Sequence, residues 1–163
     1  MEEGCGKVQR LEGLKEEEVK ELATVLGSLM KRGLILLFGE LGAGKTTFVK
    51  GLARGLGIDE GVVRSPTFVI MHVYEGKSRI YHFDLYRLES EEDLVYIGLY
   101  DALEEDGLVA VEWADLFPNV WKGMGRVEVS IKHEKERLRT VELRECGREG
   151  LVGESIEIWK GTR

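Results

Sequence analysis

Apolar positions along the chain follow two patterns, periodic and continuous, and each predicts a different element. Between Lys15 and Met30 they fall at Val19, Leu22, Val25, Leu26 and Leu29, the spacing of an amphipathic helix. Glu16, Glu17 and Glu18 open that segment, where negative charge suits the helix dipole. Leu34-Ile35-Leu36-Leu37-Phe38 is instead unbroken, as in a strand covered on both faces. Leu108-Val109-Ala110-Val111 reads the same way and is closed by Glu112. Gly33 separates the first helix from the first buried strand. A glycine-rich turn after Phe38 leads into a second helix, from about Thr46 to Leu56, ended by Gly57.

The remaining segments are shorter. Residues 7–11 predict an edge strand. Residues 67–74 and 79–84 are β-rich, and Glu75-Gly76-Lys77-Ser78 between them predicts a hairpin. Ser90 is a candidate N-cap for an acidic-led helix over 91–103. After Arg126, the stretches 127–131, 138–143 and 156–159 alternate and predict antiparallel strands at one side of the sheet. Helix and strand segments in this order make an α/β fold with a mixed sheet.

Composition narrows the class. At 163 residues the chain makes a single domain, 1–163, with 43% hydrophobic and 33% charged residues, so it is globular and densely charged at the surface. The net charge of −7 argues against a broad basic face for nucleic acid or an anionic membrane, so any nucleic-acid role runs through a partner or a local patch. Cys5 and Cys146 share no metal-binding spacing; one disulfide between them is conceivable, but two scattered cysteines are the ordinary pattern of a reduced cytosolic chain. The acidic start and the absence of a long apolar run predict a cytoplasmic protein.

The chemistry begins with Gly39-Glu40-Leu41-Gly42-Ala43-Gly44-Lys45-Thr46, which satisfies G-x-x-x-x-G-K-[ST] in full. A buried strand precedes it and a helical pattern follows. Gly39, Gly42 and Gly44 allow a cup of backbone N–H groups, and the helix N-terminus adds favourable dipole for phosphate. Lys45 is placed to reach the β- and γ-phosphates, and the Thr46 hydroxyl to meet Mg²⁺. Glu40, Leu41, Gly42, Ala43, Gly44, Lys45, Thr46 and Thr47 are therefore the candidate nucleotide contacts. The fold expected around them is P-loop NTPase-like: a mixed β-sheet flanked by helices, with an antiparallel, strand-rich C-terminal part.

Such a loop needs a carboxylate at a neighbouring strand end. Glu112 and Asp84 both qualify. Glu112, with the longer apolar lead-in, is assigned to Mg²⁺, directly or through water; Asp84 is left to orient or deprotonate the attacking water, or to share the metal. Ser65-Pro66-Thr67 lies where related proteins carry a segment sensing the terminal phosphate; the other reading is a proline turn whose hydroxyls satisfy backbone groups. No Asn-Lys-x-Asp segment is present, which leans toward adenine over guanine.

Four segments in order resemble the TsaE (formerly YjeE) family: the phosphate loop continuing through Thr47-Phe48, then Ser65-Pro66-Thr67-Phe68, then Tyr81-His82-Phe83-Asp84-Leu85-Tyr86-Arg87, then Val111-Glu112-Trp113-Ala114. The resemblance implies an ATPase of tRNA threonylcarbamoyladenosine synthesis, weak alone, that binds Mg²⁺-ATP. It would act with TsaD and TsaB, which modify adenosine 37 of tRNA, and would meet tRNA only through that complex. On this resemblance Lys45 and Thr46 are phosphate and Mg²⁺ contacts, Glu112 a metal ligand, and Asp84 is needed for hydrolysis. Ser65 and Thr67 belong to the first switch. Trp113 lies near the nucleotide or is a core aromatic. Arg87 stabilises phosphate charge, bridges to a partner, or makes a surface ion pair. His82 is read as a structural strand histidine. Lys132, Lys135, Arg137 and Arg139 read as a solvated basic strand, with tRNA or partner contact the competing reading. Two other functions fit the loop: a small-molecule kinase, although no arginine-rich lid follows it, and a nucleotide-gated assembly factor whose turnover is incidental.

Overall fold

The apolar patterns become a three-layer α/β structure in the computed structural model, which describes residues 4–40 and 42–163. The strands are β1 (Gln9–Leu14), β2 (Gly33–Phe38), β3 (Met71–Glu75), β4 (Arg79–Asp84), β5 (Leu108–Glu112), β6 (Arg126–His133) and β7 (Arg139–Cys146). The helices are α1 (Glu16–Met30), α2 (Lys45–Gly55), α3 (Glu92–Tyr96), α4 (Leu99–Glu104) and α5 (Leu151–Gly161). One sheet holds all seven strands in the order β1-β7-β6-β2-β5-β4-β3. The middle four are parallel, β6 to β2, β2 to β5 and β5 to β4. The outer pairings are antiparallel.

Strand periodicity explains the unbroken run of β2. Ile35 and Leu37 face a core shared with α1, α2 and α5, whereas Leu34 and Leu36 face one shared with α3, α4 and Trp121. A strand covered on both sides must be apolar at every position.

α1 and α2 cross at backbone distance. A Cβ on Gly51 would lie 2.4 Å from the Lys20 carbonyl oxygen, one on Gly55 2.2 Å from that of Thr24, and one on Gly27 2.7 Å from that of Leu52. The crossing exists because those three positions have no side chain.

Four expectations are corrected. Residues 67–70 are not strand: the Pro66 carbonyl accepts from Val69 N and Ile70 N, closing a tight turn before β3 begins at Met71. The helix expected over 91–103 is two, because Gly98 takes a left-handed φ of 83° between them; Ser90 makes no side-chain cap, the first helix being flanked by Glu91. Residues 156–159 belong to α5. Ile156, Glu157 and Ile158 alternate locally, but burial at Leu151, Val152, Ser155, Ile156 and Trp159 has helical spacing, and Trp159 Nε1 donates to the Glu18 carbonyl of α1 at 3.0 Å. Cys5 and Cys146 are joined in a disulfide, which ties the segment before β1 to the end of β7.

Two outcomes test this packing. Gly51→Ala gains helix propensity, yet it should cost about 1–3 kcal/mol by overpacking the crossing; equal or higher stability in denaturant unfolding would contradict the close approach. Glu128 accepts from Arg144 Nε and Arg126 Nε, each at 2.7 Å. Burial pushes its pKa up, but these two guanidinium bonds outweigh it and hold the carboxyl below its ordinary 4.5. A carboxyl lowered on folding stabilises the protein above its unfolded pKa, and that stability is lost as pH falls through the folded value. Glu128→Gln should therefore lower the Tm near neutral pH, with the difference from wild type shrinking as pH drops below about 4; a pH-independent difference would refute the assignment.

Candidate functional site

The parallel strands point their C-terminal ends the same way, and register does the rest. Glu112 pairs with Leu37 of β2 and with Asp84 of β4. The loop after β2 and both carboxylates therefore meet on one edge, where open α/β sheets bind ligands.

The loop owes its shape to glycine. Gly39, Gly42 and Gly44 have φ of 149°, 78° and 114°, a region costly for any residue with a Cβ. At Gly39 a Cβ would also meet the Ile131 carbonyl oxygen at 2.6 Å, so the loop rests directly on β6. Gly44 caps α2 in the left-handed region. α2 thus begins at Lys45 with its first amides aimed out of the loop, where a helix N-terminus attracts anions.

Lys45 is 5% exposed. Its Nζ donates to the Gly39 carbonyl at 2.6 Å and sits 3.9 Å from the centre of a Trp113 ring. Burial pushes its pKa below the ordinary lysine value, against the opposing pull of Glu112, Asp84 and Asp115. Trp113 itself has a φ of 61°, and its ring lies 4.9 Å from that of Tyr86.

Each carboxylate is held by its own donors. Thr46 Oγ1 donates to Glu112 Oε2 at 3.2 Å, and His82 Nε2 meets the same oxygen at 2.5 Å. The His82 Nδ1 lies 2.9 Å from the Tyr74 hydroxyl. That hydroxyl donates to the Arg64 carbonyl at 2.9 Å and accepts from Arg64 N at 3.2 Å; burial pushes the phenol pKa up from its ordinary value. On the other carboxylate, Thr67 Oγ1 donates to Asp84 Oδ2 at 2.7 Å and Tyr86 N to Asp84 Oδ1 at 2.9 Å. The Ser65 and Thr67 hydroxyls are 2.8 Å apart.

These groups line a cavity of about 290 Å³ that includes Gly42, Gly44, Lys45, Thr46, Thr47, Ser65, Thr67, Asp84, Glu112 and Trp113. A neighbouring cavity of about 520 Å³ opens between the loop and the end of β6, with Glu40, Ala43, Trp113 and Lys132 in its walls. Leu41 lies outside the described residues. Thr47 also donates to Glu16 at 3.1 Å. Arg87 is not brought to the loop: it is exposed and stands 5.8 Å from the Phe68 ring.

Sequence reasoning passed over three side chains. His82 reads as a satisfied strand histidine, yet it contacts Glu112. Tyr74 is its diagonal neighbour across the hairpin, since Tyr74 pairs with Ile80 and His72 with His82; the hairpin register carried that signal. Arg139, read within a solvated basic stretch, turns inward, its Nε donating to the Ala43 carbonyl at 3.0 Å. Only the placement of β7 reveals that contact.

Thr46, Glu112 and Asp84 supply hard oxygen donors of the kind a small divalent cation takes. Among the described residues no group of three or more His, Cys, Asp or Glu could hold a metal, so a cation here would draw further oxygens from a bound ligand. A triphosphate fits that requirement: the loop offers amides and Lys45 on one side of the cavity and the two carboxylates on the other.

The family model described as "Threonylcarbamoyl adenosine biosynthesis protein TsaE" matches residues 14–141. The chain is 41% identical over 133 residues to the tRNA threonylcarbamoyladenosine biosynthesis protein TsaE of a Nostoc species, covering 78% of this chain and 80% of that protein. Over 100 residues it is 44% identical to the protein of the same name from Treponema pallidum, covering 61% and 73% respectively. Among solved structures it is similar to Bacillus subtilis YdiB, with a TM-score of 0.71, 29% identity and 96% of each chain covered.

Arg139→Leu removes the bond that pins the Ala43 carbonyl. Exchange of the loop amides 42–46 should quicken, and global stability should fall by about 1–3 kcal/mol; unchanged exchange would show that the loop holds its shape without Arg139.

Proposed function

From the premise that this chain belongs to the TsaE family, we propose that it is a Mg²⁺-dependent ATPase serving tRNA threonylcarbamoyladenosine synthesis. The observation that carries the reading is the convergence of Lys45, Thr46, Glu112 and Asp84 on one cavity at the N-terminus of α2. Bound Mg²⁺ would neutralise charge on the β- and γ-phosphates, held by Thr46 and Glu112.

Each residue then has a task. The loop amides and the start of α2 cradle the phosphates. Lys45 exchanges the Gly39 carbonyl for phosphate oxygen, a swap favoured because the carbonyl carries only a partial charge against a desolvated ammonium. Asp84 gives up Thr67 and turns to the attacking water, whose proton it accepts or whose direction it fixes. Ser65 and Thr67, freed from each other, are within reach of the terminal phosphate. Trp113 covers the site and limits water. The neighbouring cavity between Glu40 and Lys132 is the natural place for the base and sugar, and the lack of an Asn-Lys-x-Asp segment favours adenine.

The partners in this reading are TsaD and TsaB, with tRNA reached through them; a net charge of −7 gives the chain little means of gripping tRNA alone. Among the described residues no helix is long and apolar enough to cross a membrane, and a role on tRNA fits the cytoplasm.

Hydrolysis of ATP by the purified chain, alone and then with TsaD and TsaB, tests the proposal. A slow Mg²⁺-dependent rate that rises with the pair is expected, with Lys45→Ala lowering it by about a hundred-fold or more. Asp84→Ala should still bind ATP and fail to turn it over. Stoichiometric phosphorylation of an added metabolite would replace the ATPase reading with a kinase, and full multi-round tRNA modification by Asp84→Ala would replace it with a binding-driven assembly factor.

A further inference from the structure

Segment 64–67 is tied to both carboxylates. Thr67 reaches Asp84 directly, whereas Arg64 reaches Glu112 through two buried side chains, Tyr74 and His82. The second route is unbroken and dry: His82 is 0% exposed, Tyr74 5% and Glu112 3%. Tyr74 closes on both polar backbone atoms of Arg64, the residue before Ser65-Pro66-Thr67. At the other end His82 and Thr46 share one oxygen of Glu112, Oε2.

A histidine serving only to fill the core would need any two partners. This one joins the segment flanking the cavity to the carboxylate that lines it. It is also held from both ring nitrogens, so its ring cannot turn without breaking one of those bonds. We propose that Tyr74 and His82 are positioning residues, which fix the Glu112 carboxylate for a divalent cation and couple its orientation to the position of segment 64–67. The inference rests on the reading of Thr46 and Glu112 as the cation-holding pair.

The coupling is reciprocal. A segment drawn away from Arg64's present position pulls on the Tyr74 hydroxyl and loosens Glu112; a cation bound at Glu112 favours the segment's present position. Groups that orient a metal ligand from behind contribute about 10–100-fold to metal affinity, and the same range is expected here.

The test uses the full chain with ADP and Mg²⁺ as probes. Wild type and Tyr74→Phe, which loses one hydroxyl and no ring, are titrated with ADP without Mg²⁺ and then with Mg²⁺ at saturating ADP. Metal-free ADP affinity should agree within about two-fold, while Mg²⁺ affinity falls about ten-fold or more in Tyr74→Phe. In wild type, Mg²⁺ should also slow hydrogen exchange of the amides at 64, 65 and 67, and this slowing should be lost in the variant. A purely structural role would lower the Tm of Tyr74→Phe and leave its Mg²⁺ affinity untouched, which overturns the proposal. So does wild-type exchange at 64–67 that ignores Mg²⁺, a result needing no variant. Should Tyr74→Phe not fold, His82→Gln is read by the same titrations, and unchanged Mg²⁺ affinity there is equally fatal. Wild type that binds no ADP even with Mg²⁺ would instead remove the nucleotide reading itself.

Discussion

The register between β4 and β5 is the constraint on which the site depends. It sets Asp84 beside Glu112, two carboxylates 1% and 3% exposed, at the strand ends next to the loop. Like charges in adjacent register are unfavourable, and buried charges demand partners. The surrounding polar groups follow from that demand. Thr67 and the Tyr86 amide answer Asp84; Thr46 and His82 answer Glu112. A slip of one residue in β4 would turn Asp84 to the opposite face of the sheet and leave Thr67 and His82 without their acceptors. The hydroxyl of α2, the imidazole of β4 and the segment before β3 are gathered by two side chains that cannot be left alone.

Much of this was legible because continuous apolar runs are unambiguous. β2 and β5 carry them, and the glycine pattern between β2 and α2 admits few conformations. Asp84 and Glu112 stood out as charges ending apolar strands. What escaped the sequence depended on neighbours distant along the chain. Arg139 meets Ala43 only because β7 packs beside β6, and β6 beside β2. Cys5 meets Cys146 because β1 returns to pair with β7 across most of the chain's length. The misread elements failed for a local reason instead: a window of four residues at 156–159 cannot distinguish alternation from one turn of helix, and a single left-handed glycine at 98 divides a pattern that looks continuous. The stretch 67–70 has strand-forming residues, but Pro66 starts a turn that overrides them.

Two residues beside the site have left-handed backbone, as Lys31, Glu136 and Arg137 do elsewhere among the described residues. Ile70 has a φ of 73° and Trp113 one of 61°, conformations that cost on the order of 1–3 kcal/mol each for residues with a Cβ. Both are held by contacts to the site: the Ile70 carbonyl accepts from Asp84 N at 2.8 Å, and Trp113 lies against Lys45 and Tyr86. The same groups that satisfy the buried carboxylates and lysine keep these two residues in place.

The glycine contacts between α1 and α2 mean that the two sides of the site are held by different means. With Gly27, Gly51 and Gly55 seated backbone to backbone and Gly39 pressed on β6, the phosphate-loop side has no room to slide or roll without atomic overlap. The opposite side, from Arg64 to Ile70, is fastened by hydrogen bonds that can be exchanged one at a time, over a turn already strained at Ile70. What enters the cleft meets a sterically locked helix crossing on one side and a hydrogen-bonded turn on the other, and a partner sensing what the cleft holds would find the more yielding surface from Arg64 to Ile70.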